Sequence, residues 1–278
     1  MELLVTTEWL SGEMGTPDLR VVDASYFALS PERDARAEYE AEHIPGAVFM
    51  DLGGLVDSDS ALPSTLPPAE KFASRMQALG LGDGSRIVLY DNSPHHTSAR
   101  AWWMFKLFGA HDVAILDGGL YKWKAEGRPL ASGKETLRHR HFTVWKDSAT
   151  IRTLDQMKAN LRSGAEQVVD ARSAARFSGQ ESDPRPGVAP GHIPGSVNLP
   201  YDRLFHTDGT WKRGEELRGV FEEAGVDLSR PLVTTCGSGI TAAVLLFGAA
   251  LLGKKDVALY DGSWSEWGAD AGTEKALA

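Results

Sequence analysis

The loop around Cys236 carries the residue types of a nucleophilic site. Cys236 is the only cysteine among 278 residues and lies in the stretch TTCGSGITAAVLL, residues 234–246. Gly237 and Gly239 permit a tight loop whose backbone N–H groups turn inward. A helix that starts directly after the loop would point the positive end of its dipole at the sulfur. Because the thiolate is the reactive form of cysteine, this pattern indicates a stabilised nucleophile.

The alternative is that Cys236 is a small apolar core residue, as free cysteines often are. The apolar run PLVTT precedes it and TAAVLLFGAALLG follows it, which predicts a strand, a loop and a helix. In parallel α/β folds, sites form beyond the carboxyl ends of the strands, where this loop would lie. Ser238 adds a hydroxyl, and Thr241 is expected to cap the helix. These local features leave both interpretations open.

The same pattern occurs twice in the chain, which predicts a tandem duplication. The separation between equivalent residues runs from 144, between Asp117 and Asp261, to 149, between His43 and His192. Four pairs of segments match in the same order: RVVDASYFAL (20–29) with QVVDARSAAR (167–176), EHIPGAVFMDL (42–52) with GHIPGSVNLPY (191–201), RIVLYDNS (86–93) with PLVTTCGS (231–238), and AILDGGLYKW (114–123) with ALYDGSWSEW (258–267). We expect an N-terminal domain without the cysteine at 1–130, a linker at 131–149 and a C-terminal catalytic domain at 150–278.

Each copy alternates short β-branched runs with helix-like stretches, for example RIVLY and VAIL with SARAWWMFKLFGAH. This alternation is typical of α/β domains, and we predict a central, mostly parallel sheet flanked by helices in each copy. The position equivalent to Cys236 in the first copy is Asp91, a residue unsuited to an apolar core. Both copies therefore carry a polar loop, and only the second carries a nucleophile. This favours the catalytic interpretation of Cys236.

Four polar residues that recur in both copies are predicted to be structural. His43 and His192 precede Ile-Pro-Gly, and Asp23 and Asp170 end an apolar strand in each half. Since only one copy contains a cysteine, a catalytic role does not explain why each residue occurs twice. We expect the histidines to stabilise turns and give none of the four a part in the chemistry.

Composition argues against several classes of protein. The net charge of −9 and the pI near 5.4 disfavour electrostatic binding to nucleic acid. A single cysteine cannot form an internal disulfide, so the fold does not depend on oxidising conditions. No apolar run reaches the length of a membrane span, and the start, MELLVTTEWLSGEMGTPD, lacks the pattern of a secretory signal. We expect a cytoplasmic protein that binds neither nucleic acid nor membrane.

The duplicated domain, HIPG in each half, DG-x-x-x-x-W after the loop and a single cysteine in the second loop resemble the two-domain rhodanese sulfurtransferases. The resemblance covers roughly residues 3–268. Thiosulfate-using members usually have basic residues directly after the cysteine. The loop CGSGIT is instead similar to the CGSGVT loop of the 3-mercaptopyruvate sulfurtransferases, with Ile240 for valine. The segment ARFSGQESDPRPGVAPGHIPGSVN is similar to the part of that branch that supplies two substrate-binding arginines, here Arg176 and Arg185.

The resemblance implies a ping-pong reaction through a persulfide on Cys236. The donor 3-mercaptopyruvate would lose its sulfur and leave as pyruvate, and a thiol, such as thioredoxin or a small thiol, or cyanide would accept the sulfur. Arg176 and Arg185 would bind the oxygens of the donor, and Ser238 would orient its thiol or relay its proton. The donor and the persulfide would also contact the loop residues Gly237, Gly239, Ile240 and Thr241. No cofactor and no metal is implied, and we expect a monomer.

The chain departs from that branch in its first half. In some members, an aspartate and a histidine of the first domain form a triad with the loop serine. An ungapped alignment from HIPGAVFMD to LPPAEKF places Gly53 and Ser64 at those positions. We therefore expect this pair to be missing; Asp57 or Asp59 are the nearby acids that could substitute.

Other readings of the motifs fit less well. Cysteine phosphatases need an arginine six residues after the cysteine, where this chain has Ala242. His95, His96 and the RHRH at 138–141 lack cysteine or carboxylate partners at metal-binding spacing. GLGDGSR at 80–86 precedes a strand, so it predicts a turn and not a dinucleotide site. Two alternatives stay open: thiosulfate:cyanide sulfurtransfer, and a persulfide carrier or redox-sensing module without turnover.

Overall fold

A computed structural model describes residues 1–28, 30 and 32–278 of the chain and divides it into two compact units. Unit 1 comprises Met1–Asp57, Leu66–Asp147 and Phe205–Trp211, and unit 2 comprises Ser58–Thr65, Ser148–Leu204 and Lys212–Ala278. Residues 58–65 therefore belong to unit 2, although their sequence neighbours belong to unit 1. Residues 205–211 belong to unit 1, although their sequence neighbours belong to unit 2. The contiguous boundaries expected from the sequence stay a prediction.

Unit 1 is built on a five-stranded parallel sheet with the strand order β1-β5-β4-β2-β3. Its strands are β1 (Leu4–Val5), β2 (Leu19–Asp23), β3 (Val48–Phe49), β4 (Arg86–Tyr90) and β5 (Val113–Leu116). Its helices are α1 (Thr7–Glu13), α2 (Ala35–Ala41), α3 (Ala69–Ala78), α4 (Ser98–Leu107) and α5 (Gly119–Ala125).

Unit 2 repeats this topology with the order β6-β10-β9-β7-β8, again with all pairings parallel. Its strands are β6 (Ile151–Arg152), β7 (Gln167–Asp170), β8 (Val197–Asn198), β9 (Leu232–Thr235) and β10 (Val257–Tyr260). Its helices are α6 (Leu154–Ser163), α7 (Ala174–Ser178), α8 (Gly214–Glu223), α9 (Ala242–Leu251) and α10 (Ser263–Trp267), with short 3₁₀ helices at Ser148–Thr150 and Tyr201–Leu204. The predicted duplication of an α/β domain is confirmed.

The pattern of apolar residues explains the layers. The central strands β4 and β9 are nearly or completely buried, as expected for parallel strands covered on both faces. Helix α9 is apolar on all sides, and most of its residues are buried, so it lies inside its unit and leads directly from the cysteine loop. The loop that the sequence placed between a strand and a helix lies between β9 and α9.

The two tryptophans of the repeated DG-x-x-x-x-W motif occupy equivalent places. Trp123 and Trp267 are completely buried in the cores of units 1 and 2. Each donates its indole N–H to a backbone carbonyl at 2.8 Å, Trp123 to Pro129 and Trp267 to Glu274. The motif thus fixes the chain just after the last helix of each copy, because a buried indole N–H needs an acceptor.

None of the helices among the described residues has the length and apolar character that a membrane span requires. The same residues contain no group of three histidine, cysteine or acidic side chains that could hold a metal ion.

Candidate active site

Cys236 directly follows β9 at the carboxyl edge of the sheet of unit 2. Its residue is only 2% exposed, but its sulfur is not packed as an apolar group. The backbone N–H of Gly239 donates to Cys236 Sγ at 3.1 Å. A sulfur that accepts a backbone N–H is placed to carry negative charge, in keeping with the inward-turned loop expected from the sequence.

The first turn of α10 holds this loop from the other side. Trp264 and Ser265 donate their backbone N–H groups to the carbonyls of Cys236 and Gly237, both at 2.9 Å. The Ser263 hydroxyl accepts the N–H of Cys236 at 3.2 Å and donates to the carbonyl of Tyr260 at 2.8 Å. The DG-x-x-x-x-W segment therefore positions the cysteine as well as filling the core. Ser263 was not among the residues expected from the sequence, because its role depends on a contact between distant segments.

The two glycines of the loop serve different purposes. Gly239 has φ +81°, a left-handed conformation that other residues adopt only at a cost, and this turns its N–H toward the sulfur. Gly237 has no such constraint. A Cβ atom there would instead point at two guanidinium groups, at 3.4 Å from Nη1 of Arg185 and 3.5 Å from Nη2 of Arg176.

The arginine pair predicted from the sequence therefore lies beside the cysteine loop. Arg176 is in α7, and Arg185 is in the segment between α7 and β8. Their side chains are partly exposed, so solvent reaches both. Nε of Arg176 is buried and has no hydrogen-bond partner among the described residues. The pair offers donors for a small anionic ligand next to the sulfur.

One carboxylate holds both guanidinium groups. Asp183 Oδ2 accepts from Nη2 of Arg176 at 2.6 Å, and Asp183 Oδ1 accepts from Nη1 of Arg185 at 3.0 Å. The same Oδ1 also accepts the backbone N–H of Arg185 at 3.0 Å, and the Asp183 side chain is 1% exposed. Asp183 was not among the residues expected from the sequence. An acidic residue between two arginines in the segment ESDPRP was the available signal.

The remaining predicted loop residues lie in the same buried segment. Ser238, Ile240 and Thr241 are all buried. The prediction that Thr241 caps the helix is wrong, because its backbone is already helical (φ −76°, ψ −16°) and its hydroxyl makes no capping bond. The N–H groups of Ala243 and Val244 instead bond to the carbonyls of Ile240 and Thr241 in a tightened first turn.

A tyrosine that the sequence did not single out lies in the electrostatic field of the thiol. Burial is the largest cause that raises the pKa of Tyr201, and the electrostatic effects of Asp202 and Cys236 raise it further. The Tyr201 hydroxyl therefore stays protonated at neutral pH. Tyr201 is the first residue of the 3₁₀ helix that follows β8, and its backbone N–H donates to the carbonyl of Ala171 at 3.2 Å.

The equivalent loop of unit 1 is filled by its own side chain. Asp91 follows β4, and its carbonyl accepts the N–H of Leu120, as the carbonyl of Cys236 accepts that of Trp264. Asp91 Oδ1 accepts the N–H of Ser93 at 2.9 Å, and Oδ2 accepts the N–H of Ser98 at 2.8 Å. A cavity of about 400 Å³ opens beside Asp91. The unit 1 loop has no cysteine, and the N–H groups of Ser93 and Ser98 are already bonded to its carboxylate.

The repeated histidines make matching contacts. His43 and His192 each form a two-way backbone bridge, to Ala131 and Ala276 respectively, with N–H to carbonyl distances of 2.9 Å. Their Nδ1 atoms lie 2.8 Å from the backbone carbonyls of Tyr39 and Phe177, respectively. Each imidazole also stacks on the aromatic ring of the same residue. These contacts tie a turn to the chain that closes each unit, which agrees with a structural role.

The structure places Gly53 and Ser64, the positions where the family's aspartate and histidine were expected to be replaced, in different units. Gly53 belongs to unit 1, and a Cβ atom there would approach the ring of Tyr26 at 3.0 Å. Ser64 belongs to the segment 58–65 of unit 2 and has φ +59°. Of the two nearby acids, Asp59 lies in that segment and Asp57 in unit 1.

Comparison with known proteins identifies the family. Residues 6–126 and 153–270 match the rhodanese-like domain. A 3-mercaptopyruvate sulfurtransferase from Homo sapiens is 45% identical over 95% of this chain and 91% of its own length. A thiosulfate sulfurtransferase from Cricetulus griseus is 41% identical over 95% of this chain and 91% of its own length. The crystal structure of SseA from Escherichia coli matches with a TM-score of 0.87 and 35% identity, covering 96% of this chain and all of SseA.

Two copies of one parallel α/β domain, with a cysteine in an N–H-lined loop of the second copy alone, define a class of duplicated α/β protein in which one half carries a thiol and the other does not. The chain belongs to the rhodanese family and is a sulfurtransferase. The resemblance drawn from HIPG, DG-x-x-x-x-W and CGSGIT is thereby confirmed.

Proposed function

We propose that this chain transfers the sulfur of 3-mercaptopyruvate to a thiol through a persulfide on Cys236. The observation that carries the proposal is the pair of guanidinium groups at Gly237, both within about 3.5 Å of the point where a side chain would begin. The loop from Gly237 to Thr241 itself has no charged residue. The cationic groups beside the loop are thus the two guanidinium groups of Arg176 and Arg185, which come from outside it. Two adjacent guanidinium groups suit the carboxylate and carbonyl oxygens of a small α-keto acid.

In the first half-reaction, the Cys236 thiolate attacks the donor sulfur. A sulfur–sulfur bond forms and the carbon–sulfur bond of the donor breaks, so the electron pair moves to carbon and gives the enolate of pyruvate. A proton from solvent then completes pyruvate. Arg176 and Arg185 would hold the donor oxygens and stabilise the charge that develops on the enolate. Ser238 would orient the donor thiol.

In the second half-reaction, an acceptor thiolate attacks the outer sulfur of the persulfide. The acceptor leaves with the sulfur, and the Cys236 thiolate is restored. Gly239 is positioned to stabilise this thiolate, since its N–H donates to the sulfur. The remaining loop residues Gly237, Ile240 and Thr241 would enclose the outer sulfur while it waits for an acceptor.

The acceptor, the compartment and the oligomeric state belong to the same proposal. A dithiol protein such as thioredoxin suits the second step, because its second thiol can release the sulfur by forming a disulfide. A single cysteine and the absence of any need for a disulfide favour the cytoplasm. We propose that the chain acts as a monomer.

The test is donor-dependent turnover by wild type and by Cys236→Ser. Purified protein receives 3-mercaptopyruvate with cyanide as the acceptor, and pyruvate and thiocyanate are followed together. We expect equal amounts of both products from wild type and neither from the serine variant. After donor alone, intact-mass spectrometry should show one added sulfur atom on wild type.

Ser163→Ala is a matched control, because it removes an exposed hydroxyl at the end of α6 in unit 2, where it accepts the backbone N–H of Ala165. It should turn over at the wild-type rate. Turnover by Cys236→Ser at that rate would contradict the assignment of the nucleophile. If each chain gains one sulfur and releases one pyruvate but does not turn over further with cyanide present, the protein would instead be a carrier.

A second candidate is thiosulfate as the donor, and the 41% identity to a thiosulfate sulfurtransferase favours keeping it. The same assay with thiosulfate decides between the two. A higher kcat/KM with thiosulfate than with 3-mercaptopyruvate would overturn the proposal drawn from the uncharged loop.

A further inference from the structure

The buried carboxylate of Asp183 sets the charge of the donor site as well as its shape. Its two oxygens bond to both guanidinium groups that face Gly237, at 2.6 Å to Arg176 and 3.0 Å to Arg185. Its side chain is 1% exposed, whereas those of Arg176 and Arg185 are 14% and 24% exposed. Solvent therefore screens the carboxylate least of the three, and its charge acts at short range on whatever the arginines bind.

Apart from the Cys236 thiolate, which attacks the donor sulfur, the charges of this cluster add up to one positive charge. The two guanidinium groups contribute two, Asp183 removes one, and the loop residues 237–241 contribute none. A singly charged α-keto acid matches that balance. Thiosulfate carries two negative charges, and its second charge would meet no free positive charge within the cluster.

We propose that Asp183 is a specificity-determining residue that favours monoanionic over dianionic sulfur donors. The proposal rests on the sulfurtransferase site described above. Asp183 does so in two ways: it holds the two guanidinium groups in a fixed fork, and it cancels one of their charges. Asp183 acts through its bonds to Arg176 and Arg185, so it is a positioning residue.

The test is the ratio of kcat/KM for thiosulfate to that for 3-mercaptopyruvate, measured with cyanide as the acceptor. In Asp183→Asn the cluster carries two positive charges, and a dianion gains about twice as much attraction as a monoanion. We expect the ratio to rise by about tenfold or more, mainly through KM for thiosulfate. Asp183→Glu restores the charge and should return the ratio to within about threefold of wild type.

Asp227→Asn is the matched control. Asp227 is exposed, bonds to Ser229 and precedes β9, so it lies at the sheet edge opposite Cys236. This variant has the same change in net charge and should leave the donor ratio unchanged. Asp183→Ser is a second neutral variant, and thermal unfolding of all four shows which of them are folded.

A purely structural role for Asp183 would lower kcat/KM for both donors in proportion, and that outcome would overturn the proposal. An equal shift of the ratio in Asp227→Asn would do the same. If both neutral variants fail to fold, inhibition of wild type decides: methanesulfonate and sulfate have similar shapes but one and two charges. We expect methanesulfonate to compete with the donor at least as well as sulfate, and much stronger competition by sulfate would contradict the charge balance.

If wild type releases no pyruvate from 3-mercaptopyruvate, the proposed function fails before Asp183 is tested. If wild type turns over and the neutral variants keep the wild-type ratio, the assignment of Asp183 alone fails.

Discussion

The same substitution at two equivalent aspartates is expected to change stability in opposite directions. Asp23 ends β2 and Asp170 ends β7, and both are buried. Two residues later the copies differ. Asp23 accepts the backbone N–H of Ser25 at 2.9 Å and hydrogen bonds from the side chains of Ser25 and Tyr90, whereas Asp170 binds the guanidinium of Arg172 at 2.6 Å. One buried carboxylate has no cation beside it, and the other has one.

Burial without a cation raises the pKa of Asp23 from 3.8 to about 6, against smaller opposing effects of hydrogen bonds from Ser25 and Tyr90. Because the folded chain holds this proton more tightly than the unfolded chain, stability falls as the pH rises from about 4 through 6. The shift of about 2 pKa units corresponds to about 3 kcal/mol that is lost once Asp23 is ionised.

Asp23→Asn removes this cost and keeps an acceptor for Ser25. We expect the variant to exceed wild type in free energy of unfolding by about 2–3 kcal/mol at pH 8 and by little at pH 4. Asp170→Asn leaves Arg172 buried without its counter-ion and should destabilise by about 3 kcal/mol at pH 8. Urea unfolding at several pH values, followed by tryptophan fluorescence, measures both.

The difference between variant and wild type isolates Asp23 from all other titrating groups. A difference that is constant from pH 4 to pH 8 would refute the reasoning, because an unshifted carboxyl would titrate alike in the folded and unfolded chain. Stabilisation by Asp170→Asn would refute the contrast between the two copies.

Three further predictions concern the loop and its support. Gly237→Ala should fold normally, since its methyl group would meet the guanidinium nitrogens at ordinary contact distance. The methyl group would occupy the space where the donor binds, so KM for 3-mercaptopyruvate should rise by about tenfold. A wild-type KM would show that the donor does not use this space. Gly239→Ala should cost about 1–2 kcal/mol for its positive φ and slow persulfide formation in a stopped-flow assay, and an unchanged rate would show that its N–H does not act on the sulfur. Trp267→Phe should cost about 1–3 kcal/mol by leaving the Glu274 carbonyl without its donor, and Trp123→Phe, which removes the matching bond to Pro129, should cost a similar amount in urea unfolding.

Much of the fold follows from repetition in the sequence. The spacing of HIPG and DG-x-x-x-x-W predicts two like domains, and the alternation of β-branched runs with helical stretches predicts their parallel sheets. These signals are strong because each depends on local residue pattern alone. The grouping of 58–65 with unit 2 and of 205–211 with unit 1 could not be predicted, since nothing in those segments records where the chain will pack.

The candidate site was only partly accessible from the sequence. Its cysteine and its two arginines could be named from motifs, and the structure brings them together. Ser263 could not, because it acts by bonding to the folded loop. The segment ESDPRP offered two acidic residues between the arginines, but only the fold shows that Asp183 bonds to both guanidinium groups. Thr241 shows the converse error: its residue type suits a cap, but the tightened first turn of α9 uses backbone carbonyls instead.

The loop of unit 1 keeps the same group, the carboxylate of Asp91, throughout turnover, whereas the loop of unit 2 does not. In unit 1, the N–H groups of Ser93 and Ser98 always face the same tethered anion. In unit 2, the group at the equivalent point would alternate between a thiolate and a longer persulfide with every cycle. The duplication therefore supplies an internal reference: amide resonances of the loop at 92–98 should stay fixed under turnover while those at 237–241 move, so that one spectrum of one chain separates the chemistry from any general change in the protein.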